Sequence, residues 1–114
     1  MPFRSMSTLE SWLDEFRGLG YAIPGSIRVI QQDGAEGANT GLVAVTLANA
    51  PTEVYIQPET RDATRWAVTL EARAEAVTLT APVLLGLTNE LATISSLCAF
   101  LEAKSRAFVG PDTA

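Results

Sequence analysis

The sequence predicts a two-layer α+β domain, in which an antiparallel meander of about five strands is flanked by an N-terminal and a long C-terminal helix. Three observations support this class. An amphipathic helical pattern opens the chain, short segments of alternating apolar residues follow, and the last third repeats its apolar residues at helical spacing. Because the connections between strand candidates are short, antiparallel pairing is favoured. We therefore expect the order α-β-β-β-β-β-α, with both helices on the one apolar face of the sheet.

The first helix is expected from about Thr8 to Arg17. Ser7 is a suitable N-cap, and Glu10 three residues later would complete a capping box. One side of this helix is apolar, through residues spaced at i, i+3, i+4 and i+7: Leu9, Trp12, Leu13 and Phe16. Gly18 and Gly20 can supply the left-handed conformation that commonly ends a helix.

Five strand candidates follow, separated by turn residues. They are Ile27–Gln32, Leu42–Ala48, the segment around Val54 and Ile56, Arg65–Glu71, and the segment of Val77 and Leu79. Alternation places these residues on one apolar face: Val43, Val45, Leu47, Val54, Ile56, Trp66, Val68, Leu70, Val77 and Leu79. This face and the two helices predict one domain over residues 1–114, with frayed ends at 1–6 and 109–114.

The last third of the chain, Thr80 to Phe108, predicts a helix of about 38 Å, which is longer than a strand of the sheet. Its apolar residues form a heptad seam, a line of side chains three or four positions apart: Leu84, Leu87, Leu91, Ile94, Cys98, Leu101 and Phe108, with Ser105 in the remaining place. Thr80 is a suitable N-cap, and Pro82 falls in the first turn. Such a helix must pack on its own sheet or on a second copy of the chain.

The composition argues against several classes of function. The net charge of −5 lacks the basic footprint of a nucleic-acid-binding protein. Histidine is absent, which removes the commonest general base and most catalytic zinc sites. No phosphate-binding loop or nucleophile-elbow motif is present. The single cysteine, Cys98, falls in the apolar seam and is expected to be a small buried side chain.

The sequence constrains the cellular compartment and any catalytic activity less strongly. The first residues do not resemble a signal peptide, and no unbroken apolar run approaches about 18 residues, so we expect a cytoplasmic protein without a membrane partner. Glu71, Glu75 and Glu90 are the candidate carboxylates for acid–base chemistry. Their positions predict solvated surface charge instead, and no cofactor or metal site is expected.

Two surfaces are candidates for contact with a second copy or another protein. The second sheet face carries small or flat side chains with few charges: Ala44, Thr46, Ala48, Tyr55, Ala67, Thr69, Thr78 and Thr80. Such a face either meets a partner or reflects the preference of threonine for strands, and the sequence leaves both open. Leu85 and Leu97 lie off the seam of the last helix and widen its apolar arc. The predicted interface residues are therefore Thr46, Tyr55, Thr69, Thr78, Leu85 and Leu97.

The leading hypothesis is a small non-enzymatic cytoplasmic protein that acts through protein–protein contact, expected to be a homodimer. Accessory or adaptor proteins of bacteria and phages often have this size. The alternative is a small-molecule-binding module with a cavity between sheet and helices. That cavity would be lined by Trp12, Phe16, Trp66 and Phe100, with Tyr55 or Arg65 for polarity, although such aromatics are more often plain core. An enzyme without histidine is the third possibility.

Overall fold

The computed structural model describes residues 4–21, 25–31, 40–59, 61–62, 64–72 and 75–107. Helix α1 spans Met6–Gly18 and helix α2 spans Ala81–Ala107. The strands are β1 (Arg4–Ser5), β2 (Ser26–Gln31), β3 (Thr40–Thr46), β4 (Glu53–Pro58) and β5 (Trp66–Leu70). The predicted α+β class, with an N-terminal helix, an antiparallel sheet and a long C-terminal helix, is confirmed.

The four strands that follow α1 pair antiparallel and in chain order, β2 to β3 to β4 to β5. Val43 on the central strand β3 lies opposite Val29 on one side and Ile56 on the other. The two-residue strand β1 pairs with the start of β3. The sheet is therefore a meander of four strands with a short addition, and the predicted five-strand meander is wrong by one strand.

The missing strand is the predicted segment of Val77 and Leu79. Residues 75–80 join no strand ladder, although Val77 and Leu79 are half-buried while Thr78 and Thr80 are exposed. Alternating burial therefore occurs here without hydrogen-bonded pairing. A period of two shows that one side of a segment is covered, whereas a strand also needs a neighbouring backbone at the correct distance.

Helix α1 begins two residues earlier than predicted. Ser5 is the N-cap, with an extended backbone and a hydroxyl that accepts a hydrogen bond from the Thr8 amide at 3.2 Å. The capping box assigned to Ser7 and Glu10 is therefore wrong. Pairing of β1 with β3 holds Ser5 extended at the helix start, which local sequence spacing cannot reveal. Residues 4–6 thus belong to the fold, while 109–114 lie outside the described residues.

Both helices and one face of the sheet share a single hydrophobic core. Its buried members are Leu9, Trp12, Leu13, Phe16, Val43, Val45, Leu47, Val54, Ile56, Trp66, Ile94, Leu97 and Leu101. The predicted apolar face is buried from Val43 to Trp66, whereas Val68 and Leu70 remain 38% and 54% exposed and Val77 and Leu79 are half-buried. The positive φ of +96° at Gly20 allows the chain to turn away from α1.

Candidate interaction surfaces

The C-terminal half of α2 is fixed to the sheet through Trp66. The indole Nε1–H of Trp66 donates to Ser105 Oγ at 2.8 Å, and its backbone N–H donates to Glu102 Oε2 at 3.1 Å. The thiol of Cys98 donates to the Trp66 carbonyl at 3.4 Å. Three residues of one helix thus satisfy all three polar groups of a buried tryptophan, which fixes the position of α2 over β5.

The middle of α2 is fixed to the loop between β3 and β4 through Glu90. This carboxylate is 1% exposed and accepts hydrogen bonds from the Ala48 amide at 2.8 Å and the Asn49 amide at 3.2 Å. The Asn49 side-chain amide donates to it as well, at 3.1 Å. A Cβ atom at Gly86 would lie 2.6 Å from Asn49 Oδ1. Glycine therefore provides the space that Asn49 occupies against the helix.

Among the described residues, none fixes or covers the N-terminal end of α2 in a comparable way. Val83, Leu84 and Leu85 are 38%, 53% and 62% exposed. Val83 lies seven residues, two helical turns, before the buried Glu90 and therefore on the same side of the helix. Its exposure shows that the side of α2 that carries Glu90 is not fully covered in the first turn of the helix.

One line of exposed residues runs along the side of α2 away from the core. We call it the outer stripe, and its members are Leu84, Leu85, Thr88, Ala92, Ser95, Ala99 and Ala103. Between residues 76 and 101 the only ionisable carboxylate or base is Glu90, which is buried. Most of the outer stripe is therefore a solvent-exposed surface without charge, in a chain of net charge −5.

The outer face of the sheet differs from the flat, charge-poor surface that was expected. Arg28 donates to Glu53 at 2.8 Å and to the Thr46 hydroxyl at 3.0 Å, and Thr46 donates in turn to Glu53. The Thr46 hydroxyl, followed by the Arg28 guanidinium, lowers the pKa of Glu53 below its ordinary value of 4.5. Ala44, predicted on this open face, is fully buried. Arg28, which lies opposite Ala44, was overlooked because strand β2 alternates poorly.

Two further predicted interface residues lie elsewhere on this face. Tyr55 is half-buried, and its hydroxyl donates to Glu71 at 3.4 Å. Desolvation, followed by the charge of Glu71, raises the pKa of Tyr55. Thr69 is exposed opposite Tyr55. Thr78 is exposed but belongs to no strand, because the strand predicted to carry it does not form.

The two predicted helix positions have opposite surroundings. Leu85 is exposed and belongs to the outer stripe, whereas Leu97 is fully buried in the core and presents no surface to a partner. The spacing of the residues explains the difference. Leu97 stands three residues after Ile94 and four before Leu101, so it shares their side of the helix.

The predicted ligand-cavity residues do not converge. Trp12, Phe16 and Trp66 are buried in the core, and the ring of Phe16 lies 5.5 Å from that of the half-buried Phe100. These aromatics pack as core residues. Tyr55 faces the opposite side of the sheet. Arg65 is an exposed residue that forms a 4.0 Å ion pair with Glu59.

A polar surface cleft of about 240 Å³ lies between α1 and β2. Its walls include Glu10, Asp14, Arg17 and Arg28. Both arginines are already engaged, since Arg17 bonds Asp14 at 3.1 Å and Arg28 pairs with Glu53. The cleft therefore combines both signs of charge with internal ion pairs, which gives an incoming ligand no preferred charge.

Residues with potential chemistry are similarly occupied. Burial, followed by the charge of Glu102, raises the pKa of the Cys98 thiol, so its nucleophilic thiolate is disfavoured. Glu90, expected on the surface, is a buried structural carboxylate. Its sequence signal was its place three residues after Leu87 and four before Ile94, on the apolar side. Among the described residues, no three cysteine or carboxylate side chains gather as metal ligands.

Helix α2 is long and apolar enough to cross a membrane by length and composition, with a mean hydropathy of 1.5 over its most apolar 18 residues, of which 17% are buried. A core helix of a soluble protein can meet the same criterion. Comparisons with protein-family models, with curated proteins and with solved structures find no match to this chain.

Proposed function

We propose that this protein is a small, non-enzymatic cytoplasmic protein that acts through protein–protein contact, as a homodimer in which the outer stripe of α2 is buried. The observation that carries the proposal is the exposure of Leu84 and Leu85 on a surface without charge. Contiguous apolar surface of this kind is typical of interaction sites, because covering it removes apolar area from water.

The outer sheet face is a weaker candidate for the same contact. Its charged groups already bond one another through Arg28, Thr46 and Glu53, and Tyr55 bonds Glu71. Covering this face would desolvate an ion pair without providing it with new partners, which is costly. Covering Leu84 and Leu85 carries no such cost. The helix is therefore favoured over the sheet.

Light scattering at micromolar concentration tests the proposal. We expect the mass of the native chain to rise from 12.1 kDa toward twice that value as the concentration increases. Leu85→Glu should reduce the mass to that of the monomer, because an unpaired carboxylate would enter the contact. Thr69→Arg is the matched control on the sheet and should leave the dimer intact. Circular dichroism would verify that both variants remain folded.

Two results would contradict this proposal in different ways. A native mass near 12.1 kDa at all accessible concentrations would exclude self-association as the function. A dimer that dissociates with Thr69→Arg, but not with Leu85→Glu, would place the contact on the outer sheet face.

A further inference from the structure

We infer that the partner of the outer stripe is the outer stripe of a second copy, packed antiparallel about a two-fold axis near Ala92. This inference rests on the proposed function and specifies its geometry.

The sizes of the side chains along the outer stripe favour the antiparallel orientation. The stripe begins with the large Leu84 and Leu85 and ends with the small Ala99 and Ala103. Rotation about a two-fold axis at Ala92 brings Leu85 of one copy against Ala99 of the other, in both halves of the interface. A parallel pairing would instead place leucine against leucine and alanine against alanine, which leaves one end crowded and the other open.

The charge distribution favours a second copy over a charged partner. Two chains of net charge −5 repel one another, and an interface is easiest to form where neither surface carries charge. The outer stripe is such a surface from residue 84 to residue 101. The hydroxyl of Thr88 donates to the Leu84 carbonyl at 2.9 Å, so it can be covered without losing its hydrogen bond.

The available area matches a small dimer interface. The outer stripe covers 19 steps along the helix, or about 29 Å. Half of the circumference of a helix 10–12 Å across, over that length, is roughly 500 Å². Two such faces therefore bury at most about 1,000 Å², the lower limit for a specific interface. The contact should accordingly be weak and concentration-dependent.

A lipid bilayer is the competing occupant, and the outer stripe fits it less well. Asn89, Ser95 and Ser96 place polar side chains on or beside the stripe, where hydrocarbon would offer them no partners. The helix has no basic residue before Lys104 to contact anionic headgroups.

Cysteine cross-linking under mild oxidation tests the geometry. In a Cys98→Ser background, Ala92→Cys should form a disulfide-linked dimer, because the two residues meet at the axis. Leu85→Cys alone should not, since its two copies would lie about 21 Å apart along the helices and a disulfide requires Cα atoms within about 7 Å. A mixture of Leu85→Cys and Ala99→Cys chains should cross-link, and Ser11→Cys on exposed α1 provides the background level.

Two results of the cross-linking experiment would contradict the antiparallel pairing. Leu85→Cys chains that link to one another as readily as Ala92→Cys chains would show a parallel pairing, which overturns the inference and leaves the proposed homodimer standing. If light scattering shows a dimer but neither the Ala92→Cys chains nor the Leu85→Cys chains form a disulfide, the contact lies elsewhere and the inference is overturned.

A monomer at all concentrations would overturn both proposals. A monomer that also co-sediments with neutral phosphatidylcholine vesicles, and loses this property in Leu85→Glu, would identify lipid as the occupant instead. Within the dimer, Ala92→Glu should raise the dissociation constant by at least about tenfold, because it buries two carboxylates side by side.

Discussion

The two ends of α2 have similar apolar sequences and opposite surroundings. From Ile94 to Ser105 the helix contributes buried leucines to the core and three polar contacts to Trp66. From Ala81 to Leu85 every residue is exposed. Apolar spacing therefore identifies which residues share a side of a helix. It does not indicate whether another element covers that side.

The physical reason is a mismatch of lengths. A helix of 27 residues is about 40 Å long, whereas strands of five to seven residues extend about 17–24 Å. The sheet can therefore cover only part of α2. Trp66 fixes the C-terminal end and Glu90 fixes the middle, so the N-terminal turns are the part that projects.

The largest expected effect comes from replacing a leucine with alanine in each of the two parts of α2. Leu97→Ala should lower the free energy of unfolding by roughly 2–5 kcal/mol, because it leaves a cavity in the core. Leu84→Ala should change it by no more than about 0.5 kcal/mol in the monomer. Urea denaturation at low protein concentration measures both. Equal losses would mean that the N-terminal end is covered after all.

Glu90 provides the second test, in the middle of the helix. Glu90→Ala removes the acceptor of the Ala48 and Asn49 amides and should cost roughly 1–3 kcal/mol, because these partly buried donors lose their partner. Glu75→Ala, an exposed glutamate, is the matched control and should be nearly neutral. Hydrogen exchange at Ala48 and Asn49 should accelerate in Glu90→Ala alone. Unchanged exchange would show that Glu90 does not hold this loop.

Two serines on α2 provide the third and smaller test. Ser105→Ala leaves the Trp66 indole N–H without its acceptor and should cost about 1–3 kcal/mol. Ser95→Ala, on the exposed outer stripe, should be neutral or slightly stabilising, because alanine has the higher helix propensity. Thermal unfolding of the two variants distinguishes these values. A stable Ser105→Ala variant would mean that water replaces the serine hydroxyl.

The smallest effect concerns pH and the outer sheet face. The pKa of Glu53 is lower in the folded chain than its ordinary 4.5, so its ionised form stabilises the fold above that pH. This contribution is lost as the pH falls through the folded pKa. The native chain should therefore exceed Glu53→Gln in thermal midpoint at pH 6, and the difference should shrink below pH 4.5. A difference independent of pH would contradict the proposed role of ionisation.

Local sequence patterns were sufficient to predict the features that depend on a single helix or strand. The apolar side of α1, through Leu9, Trp12, Leu13 and Phe16, is buried as the spacing predicted. Strand β4 shows the predicted alternation of burial, and Val43 and Val45 of β3 lie in the core as predicted. The place of Ser105 in the seam also has a reason, since a polar acceptor is needed there for Trp66. These features depend on periodicity within one segment.

Long-range neighbours decided the features that the sequence missed. Ser5 caps α1 because β1 pairs with β3, where Ser5 lies opposite Thr40, 35 residues further along the chain. Glu90 can be buried because its carboxylate accepts hydrogen bonds from the backbone amides of Ala48 and Asn49 in the loop after β3. Neither contact partner is adjacent in sequence, so spacing alone could not identify them.

Four features could be predicted from the residues alone: the α+β class, the antiparallel pairing of the strands, the amphipathic first helix and a last helix longer than its sheet. These follow from periodicity, short connections and the rise per residue. Only the tertiary structure decided that Val77 and Leu79 form no strand, that Leu97 is core while Leu85 is surface, and that Arg28 and Glu53 pair across the outer sheet face. The physical reason is that burial and hydrogen-bond partners are properties of pairs of elements, whose relative positions are set by contacts such as those of Trp66 and Glu90.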